Sequence, residues 1–256
     1  MPNPTVAAVM LTADRPEMAR KAIDRFSEQT YPAKRLVIWD TGKTHCISPE
    51  LQSRLISEIC YVRLDRRFWA KSTIGELRND AACHAPAKSA DILIHFDDDD
   101  YSHPNRIAEQ VALLQSSGAD VVGYHEMLFW RESYSCGAFG GEHLTDAGEA
   151  WLYSNPTPSY ALGTSLCYWR KTWERKPFEA LPDKSKPFSA SEDAVWREGL
   201  KCIGIAPEGE PRMIARIHSG NTSQVYRPDV MRAVEKQGGE WKRVPLFDSY
   251  CRGLME

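Results

Sequence analysis

No stretch of the 256-residue chain approaches the roughly 20 consecutive apolar residues that a membrane-spanning helix needs. The apolar run from Val6 to Leu11 is too short for a signal peptide and follows no basic segment. A disulfide framework is missing as well. Cys46, Cys60, Cys83, Cys136, Cys167, Cys202 and Cys251 form no C-x-x-C pair, and their odd number leaves one thiol over. They read as small buried hydrophobes in a reducing compartment. Charge of one sign is not in excess, with 32 Lys and Arg against 35 Asp and Glu and a net charge of -3. That balance supplies no global field for nucleic acid or an anionic membrane, so either partner would need a local patch. Internal repeats, low-complexity tracts and linkers are absent too. The expectation left standing is a cytoplasmic protein without a transmembrane segment, with peripheral membrane contact and homo-oligomer formation both open. Its 42% hydrophobic content is ample for a large core.

Strands and helices alternate through the first half. Val6 to Leu11 is bounded by Pro4 and the polar turn Thr12-Ala13-Asp14-Arg15-Pro16, the pattern of a buried strand. Pro16 then opens a helix with Met18, Ala22, Ile23 and Phe26 at helical spacing. Leu36 to Trp39 repeats the strand, ends at Asp40-Thr41-Gly42 and precedes a helix-like stretch from Pro49 to Ile59. A third strand at Tyr61 to Leu64, a helix over Ile74 to Cys83 and a fourth strand at Ile92 to Phe96 follow. A helix from Asn105 to Ser116 and a strand at Asp120 to Tyr124 complete this half. The order predicts an α/β fold with an open, mainly parallel sheet flanked by helices. Ligands of such sheets bind at the carboxyl ends of the strands, where Thr12, Arg15, Asp40 and the run Asp97 to Asp100 fall. From Met127 to Arg170 the mixed alternation with many aromatics, glycines and prolines predicts a smaller antiparallel region, the second wall of a cleft.

Four consecutive aspartates at the end of a buried strand repel one another by several kcal/mol at low effective dielectric. A hard divalent cation resolves the conflict, and carboxylate oxygens suit Mg2+ or Mn2+ that also bind phosphate. A plainer role is a solvated turn whose Asp100 or Ser102 caps the next helix.

The run Phe96-Asp97-Asp98-Asp99-Asp100-Tyr101-Ser102-His103-Pro104 resembles the D-x-D motif and following proline of family 2 glycosyltransferases with the GT-A fold. On that resemblance Asp97 and Asp99 are the D-x-D pair, with Asp98 between them and the register open by one residue. It implies that Asp97 meets the ribose or metal and that Asp99 ligates the metal bridging to the diphosphate. Met10 to Pro16, with Thr12 and Arg15, is similar to the first-strand nucleotide loop, and Gln29-Thr30-Tyr31-Pro32 to the motif closing the first helix. Val37 to Gly42 is similar to the second-strand motif whose aspartate, here Asp40, contacts the base. Gly75 with Arg78-Asn79 is similar to the G-x-x-x-R-N helix before the D-x-D. Asp40 would equally begin a turn with Gly42, and Arg78 would equally sit on a solvated helix face.

Transfer with inversion needs a carboxylate to take the acceptor proton and a cation to hold the charge on the leaving diphosphate. Ser189 to Trp196 resembles the family's E-D motif, which makes Asp193 the implied general base beside Glu192. The same residues are suited to cap a helix, with Ser189 or Ser191 as the cap and the acids in its first turn. A base at a helix N-terminus is expected to have its pKa held down. Gly163-Thr164-Ser165-Leu166 resembles the small-residue segment beside the sugar, and Gly163 there allows close backbone approach. His218, in Ile217 to Ser223, resembles the histidine that many GT-A enzymes add to the metal; an imidazole ligand would favour Mn2+ over Mg2+. The Gln-x-x-Arg-Trp motif of processive synthases is absent, so single additions are implied.

The resemblance therefore implies one GT-A domain over 1–225, with a nucleotide-sugar half at 1–125, an acceptor half at 126–225 and a polar C-terminal tail at 226–256. It implies a UDP-sugar or related nucleotide-sugar donor and an acceptor that the sequence does not name. Two alternatives stay open: a nucleotidyltransferase on the same scaffold, and a nucleotide-sugar-binding module without catalysis. Thr12 to Pro16 lacks the glycines usual in a triphosphate loop, and a binding module needs no base.

Overall fold

The computed structural model describes residues 3–54, 57–65, 72–132, 148–157, 159–180, 192–218 and 238–255. In chain order the first half holds β1 (Val6–Thr12), α1 (Pro16–Ser27), β2 (Lys34–Asp40), α2 (Pro49–Arg54) and β3 (Ile59–Arg63). It continues with α3 (Ile74–Cys83), β4 (Ile92–His95), β5 (Tyr101–Ser102), α4 (Arg106–Ser117) and β6 (Val121–Tyr124). The second half holds β7 (Glu126–Arg131), β8 (Glu149–Ser154), β9 (Cys167–Trp169), α5 (Arg170–Arg175) and α6 (Glu192–Arg197). It ends with β10 (Cys202–Ile205), β11 (Met213–Ile217), β12 (Glu240–Arg243) and α7 (Asp248–Met255).

Five strands of the expected alternation, joined by β9 and β10 from the second half, build a seven-stranded sheet in the order β10-β6-β9-β4-β1-β2-β3. β1 pairs in parallel with β2 and β4, and β2 with β3. Only β9 runs against its neighbours, lying antiparallel between β4 and β6. The side-chain period of two explains why these strands read as unbroken apolar runs, since both faces are covered. Val6, Ala8, Met10, Leu36, Ile38, Ile92 and Ile94 join one layer with Ile23 and Phe26 of α1 and Ile107 of α4. The intervening Ala7, Val37 and Leu93 join the opposite layer with Tyr168, Trp173 and Trp196. Each fully buried large aliphatic or aromatic side chain contributes about 1.5–3 kcal/mol relative to exposure.

Helix starts follow local chemistry. Pro16 occupies the first turn of α1. Thr73 and Glu76 form a reciprocal capping box on α3, with Glu76 N donating to Thr73 Oγ1 at 3.2 Å and Thr73 N to Glu76 Oε2 at 2.7 Å. Ser189 and Ser191, the expected caps of α6, lie outside the described residues.

A second, five-stranded sheet in the order β12-β8-β7-β11-β5 is antiparallel in three of its pairs, as the pattern of the second half predicts, and parallel between β7 and β11. The last stretch, expected as a polar tail, is described from 238 to 255 and is built into the domain. β12 pairs antiparallel with β8, from Glu240 opposite Ser154 to Arg243 opposite Trp151. Cys251 and Met255 of α7 are buried against Leu128, Trp130 and Ile214. Cys251 and Met255, four apart on one helix face, supply enough apolar surface to hold a segment that reads as polar overall. Among the described residues no helix is long and apolar enough to cross a membrane.

Candidate active site

Three strand ends meet at the carboxyl edge of the larger sheet: Thr12 ends β1, Asp40 ends β2, and the aspartate run follows β4. The four aspartates divide between two sets of partners, one around Arg15 and one around Thr164. Thr12 Oγ1 donates to Asp98 Oδ2 at 2.6 Å, and Arg15 Nη2 lies 2.7 Å from Asp98 Oδ1. Arg15 Nη1 also donates to Asp99 Oδ2 at 2.9 Å. His218 Nε2, just past β11, is 3.1 Å from that same Asp99 oxygen and 3.4 Å from Arg15 Nη1. Asp97 faces other partners: the Thr164 hydroxyl donates to its Oδ2 at 2.8 Å, and Arg78 Nη2 lies 3.5 Å from its Oδ1. Thr164 also contacts the Asp100 carboxyl, whose Oδ1 accepts from the Arg216 backbone N–H at 3.1 Å.

The charges follow this division. Burial pushes Asp98 up to about 7 despite Arg15. Burial also opposes ionisation of Asp99, but His218 and Arg15 outweigh it and hold its carboxyl below the usual range. Asp100 is driven well above that range by burial and then by the charges of Asp99 and Asp97. Like charges at close range thus avoid coexisting, some paired and some neutralised.

Asp40 is fully buried and turned into its own loop. It accepts from Gly42 N at 2.7 Å, Cys46 N at 3.2 Å and the Tyr61 hydroxyl at 2.7 Å. These bonds make the loop after β2 the floor of the edge where the first-strand loop also ends. The G-x-x-x-R-N pattern of α3 resolves into three separate tasks. A Cβ at Gly75 would stand 2.5 Å from Glu179 O, so glycine permits close approach of the chain after α5. Asn79 Nδ2 donates to Phe178 O at 2.8 Å, and its Oδ1 accepts from Phe178 N at 3.0 Å and Trp173 Nε1 at 2.8 Å. Arg78 is buried rather than on a solvated face, with its Nε 3.7 Å from Glu192 Oε1. Burial works against its charge, but Asp97, Asp193 and Glu192 together raise its pKa. It is the bridge between the aspartate run and the Glu192-Asp193 pair.

Asp193 sits in the first turn of the six-residue helix α6. Stacking of Trp196 on Phe178, with centroids 4.7 Å apart, anchors this helix below the site. The Asp193 carboxyl lies against Gly163, where a Cβ would come within 2.1 Å of its Oδ2. Its buried Oδ1 has no hydrogen-bond partner among the described residues and stands 3.8 Å from His95 Nδ1. The expectation of a lowered pKa is corrected: burial and then the Glu192 charge push Asp193 up to about 7. A helix of less than two turns has too little dipole to offset that desolvation.

The trio expected to bind metal divides. Among the described residues no group of three or more His, Cys, Asp or Glu is arranged to hold an ion. Asp97 is held by Thr164 and Arg78, whereas Asp99 and His218 are adjacent. That pair, in hydrogen-bond contact at 3.1 Å, supplies a carboxylate oxygen and an imidazole nitrogen, the donor types that would hold a divalent cation. Arg15 contacts both groups from the same side, so its guanidinium and an ion would compete for Asp99.

Sequence reasoning did not single out His95, Arg106 or the Thr164 hydroxyl as parts of the site. The one signal for His95 was a polar side chain inside the apolar strand Ile92 to Phe96. Its ring is fully buried, and burial and then Arg78 lower its pKa well below the ordinary value. Trp130 and Trp173 are buried core residues.

Residues 7–130 match the family described as glycosyl transferase family 2. The match covers a little under half of the chain, which over this segment is similar to that family. The fold is that of GT-A glycosyltransferases. S. aureus TarS 1-349, solved in complex with UDP-GlcNAc, matches with a TM-score of 0.57 at 13% identity, over 91% of this chain and 66% of that one. The mannosyltransferase PcManGT from Pyrobaculum calidifontis, solved with GDP-Man and Mn2+, matches with a TM-score of 0.54 at 15% identity, over 97% of this chain and 68% of that one. The chain spans 60% of another TarS 1-349 structure and 39% of the longer S. aureus TarS chain. At these identities the likeness is one of fold. No curated protein sequence matches the chain significantly.

Proposed function

We propose that this chain is an inverting hexosyltransferase of family 2 that moves a sugar from a nucleoside-diphosphate donor, a UDP-sugar first, to an acceptor hydroxyl. The observation that carries this reading is Asp193: a buried carboxyl pushed up to about 7, with an oxygen that has no hydrogen-bond partner among the described residues. A general base works best with a pKa near the operating pH. Asp193 takes the proton of the acceptor hydroxyl as that oxygen attacks the anomeric carbon and the bond to the diphosphate breaks. Gly163, having no side chain, lets the Asp193 carboxyl pack directly against the backbone of the 163–165 turn. Glu192 and Arg78 hold the base in register with Asp97.

Thr12, Arg15, Asp97 and Asp98 form the donor side, with Arg15 the cation nearest to where a diphosphate would lie; Asp40 supports the loop that receives the base. A Mn2+ or Mg2+ ion held by Asp99 and His218 would neutralise charge on the leaving diphosphate. Support for the donor class comes from the fold neighbours solved with UDP-GlcNAc and with GDP-Man and Mn2+. Among the described residues six cysteines are free thiols, which suits the cytoplasm.

Calorimetric titration with UDP, GDP and dTDP, with and without Mn2+, tests the reading, with Asp99→Ala as control. The expected result is metal-dependent binding of one diphosphate that is lost in the variant, followed by slow hydrolysis of the matching nucleotide sugar. Absence of diphosphate binding, or tight binding of a triphosphate with release of pyrophosphate, would overturn it.

A further inference from the structure

The three consecutive carbonyls of the turn Gly163–Ser165 are each held by a buried side chain. His95 Nδ1 lies 2.8 Å from Gly163 O, Arg106 Nη2 donates to Thr164 O at 3.2 Å, and Gln110 Nε2 donates to Ser165 O at 2.6 Å. Arg106 is fully buried, yet its partners are carbonyls, a hydroxyl and an amide rather than a carboxylate. The same Nη2 donates to His95 O at 2.6 Å, Nη1 to Ser102 Oγ at 2.7 Å and Nε to Gln110 Oε1 at 3.2 Å. Desolvating a guanidinium costs several kcal/mol, and an apolar residue would fill the space without that cost. The charge and the forked geometry therefore serve something other than filling space.

What they join are the two sides of the site. His95 O is the last carbonyl of β4, two residues before Asp97. Thr164, whose carbonyl Arg106 holds, gives its hydroxyl to Asp97 at 2.8 Å. Gly163, the preceding residue, is packed against the Asp193 carboxyl. We propose that Arg106 is a positioning residue: by tying His95 O to Thr164 O it sets the separation between Asp97 on the donor side and Asp193 on the acceptor side. The proposal rests on the transferase reading above.

The test uses the full chain and measures, for each variant, thermal unfolding, nucleoside diphosphate affinity, and kcat and KM for the donor. Misplacement of reacting groups by about 1 Å costs on the order of 100-fold in rate. Arg106→Met is expected to lose about that factor in kcat while diphosphate affinity stays within about threefold, a split that a loss of stability alone does not produce. If Arg106→Met does not fold, Thr164→Val decides: it is expected to lose roughly tenfold or more in kcat, with Thr164→Ser recovering most of the loss. A folded Arg106→Met with kcat within about threefold of the parent, or equal losses of kcat and of diphosphate affinity, overturns the positioning role. So does a Thr164→Val that is as active as the parent. A parent chain that neither binds diphosphate nor turns over any nucleotide sugar instead overturns the transferase reading, and this proposal with it.

Discussion

Replacing Asp193 by Asn should make the protein more stable at alkaline pH and far less active. Burial, with Glu192 adding to it, pushes the Asp193 carboxyl up to about 7 from an ordinary 3.8. Between these two values the folded chain keeps a proton that the unfolded chain has released. The contribution of this group to stability is therefore full below about pH 4 and is lost as pH rises through about 7. A gap of about three pH units, at about 1.4 kcal/mol each, puts the loss on the order of 4 kcal/mol by pH 8.5. Asparagine stays neutral, so the variant and the parent should melt together near pH 4 and separate progressively above it. In a chain of this size the separation amounts to roughly 10 °C at pH 8.5. Turnover should fall by about 100- to 10,000-fold in the variant, and the parent's rate should climb through pH 7 as the base ionises. Melting curves from pH 4.5 to 9 and a pH–rate profile check both arms. A difference in Tm that does not change with pH, together with a parent rate flat through pH 7, would refute the assignment of Asp193 as a buried base.

Asp40→Ala removes the acceptor shared by Gly42 N, Cys46 N and the Tyr61 hydroxyl; a loss of about 3 kcal/mol or more is expected in urea unfolding. Gly163→Ala places a methyl 2.1 Å from Asp193 Oδ2; kcat should drop about 100-fold while diphosphate binding by calorimetry stays unchanged. His218→Ala should weaken Mn2+ binding by about tenfold or more, read by electron paramagnetic resonance of the bound ion.

The alternation from Val6 to Phe96 was legible because parallel strands buried on both faces must be written as continuous apolar runs, and helices as amphipathic ones. The carboxyl-edge location of Thr12, Arg15, Asp40 and the aspartate run followed from that order alone. The reversal at β9 was not legible, since three apolar residues, Cys167 to Trp169, carry no signal of strand direction. The strand and helix after Glu240 were hidden by a polar composition whose few apolar residues share one face.

The division of labour within the site belongs to contacts between residues far apart in the chain. Sequence alone determined which residue types gather at the edge: four aspartates, two arginines, the Glu192-Asp193 pair and a late histidine. Tertiary structure decided which carboxylate is paired with Arg15 and His218, which with Arg78 and Thr164, and which is left buried with its pKa raised. Arg106 makes the point most sharply. In the sequence it is one more charge at the start of a helix, and only the closing of β4, α4 and the Gly163 turn around it removes water and gives its four hydrogen bonds a geometry. Desolvation and orientation are properties of a packed interior, and they exist only once the chain has folded.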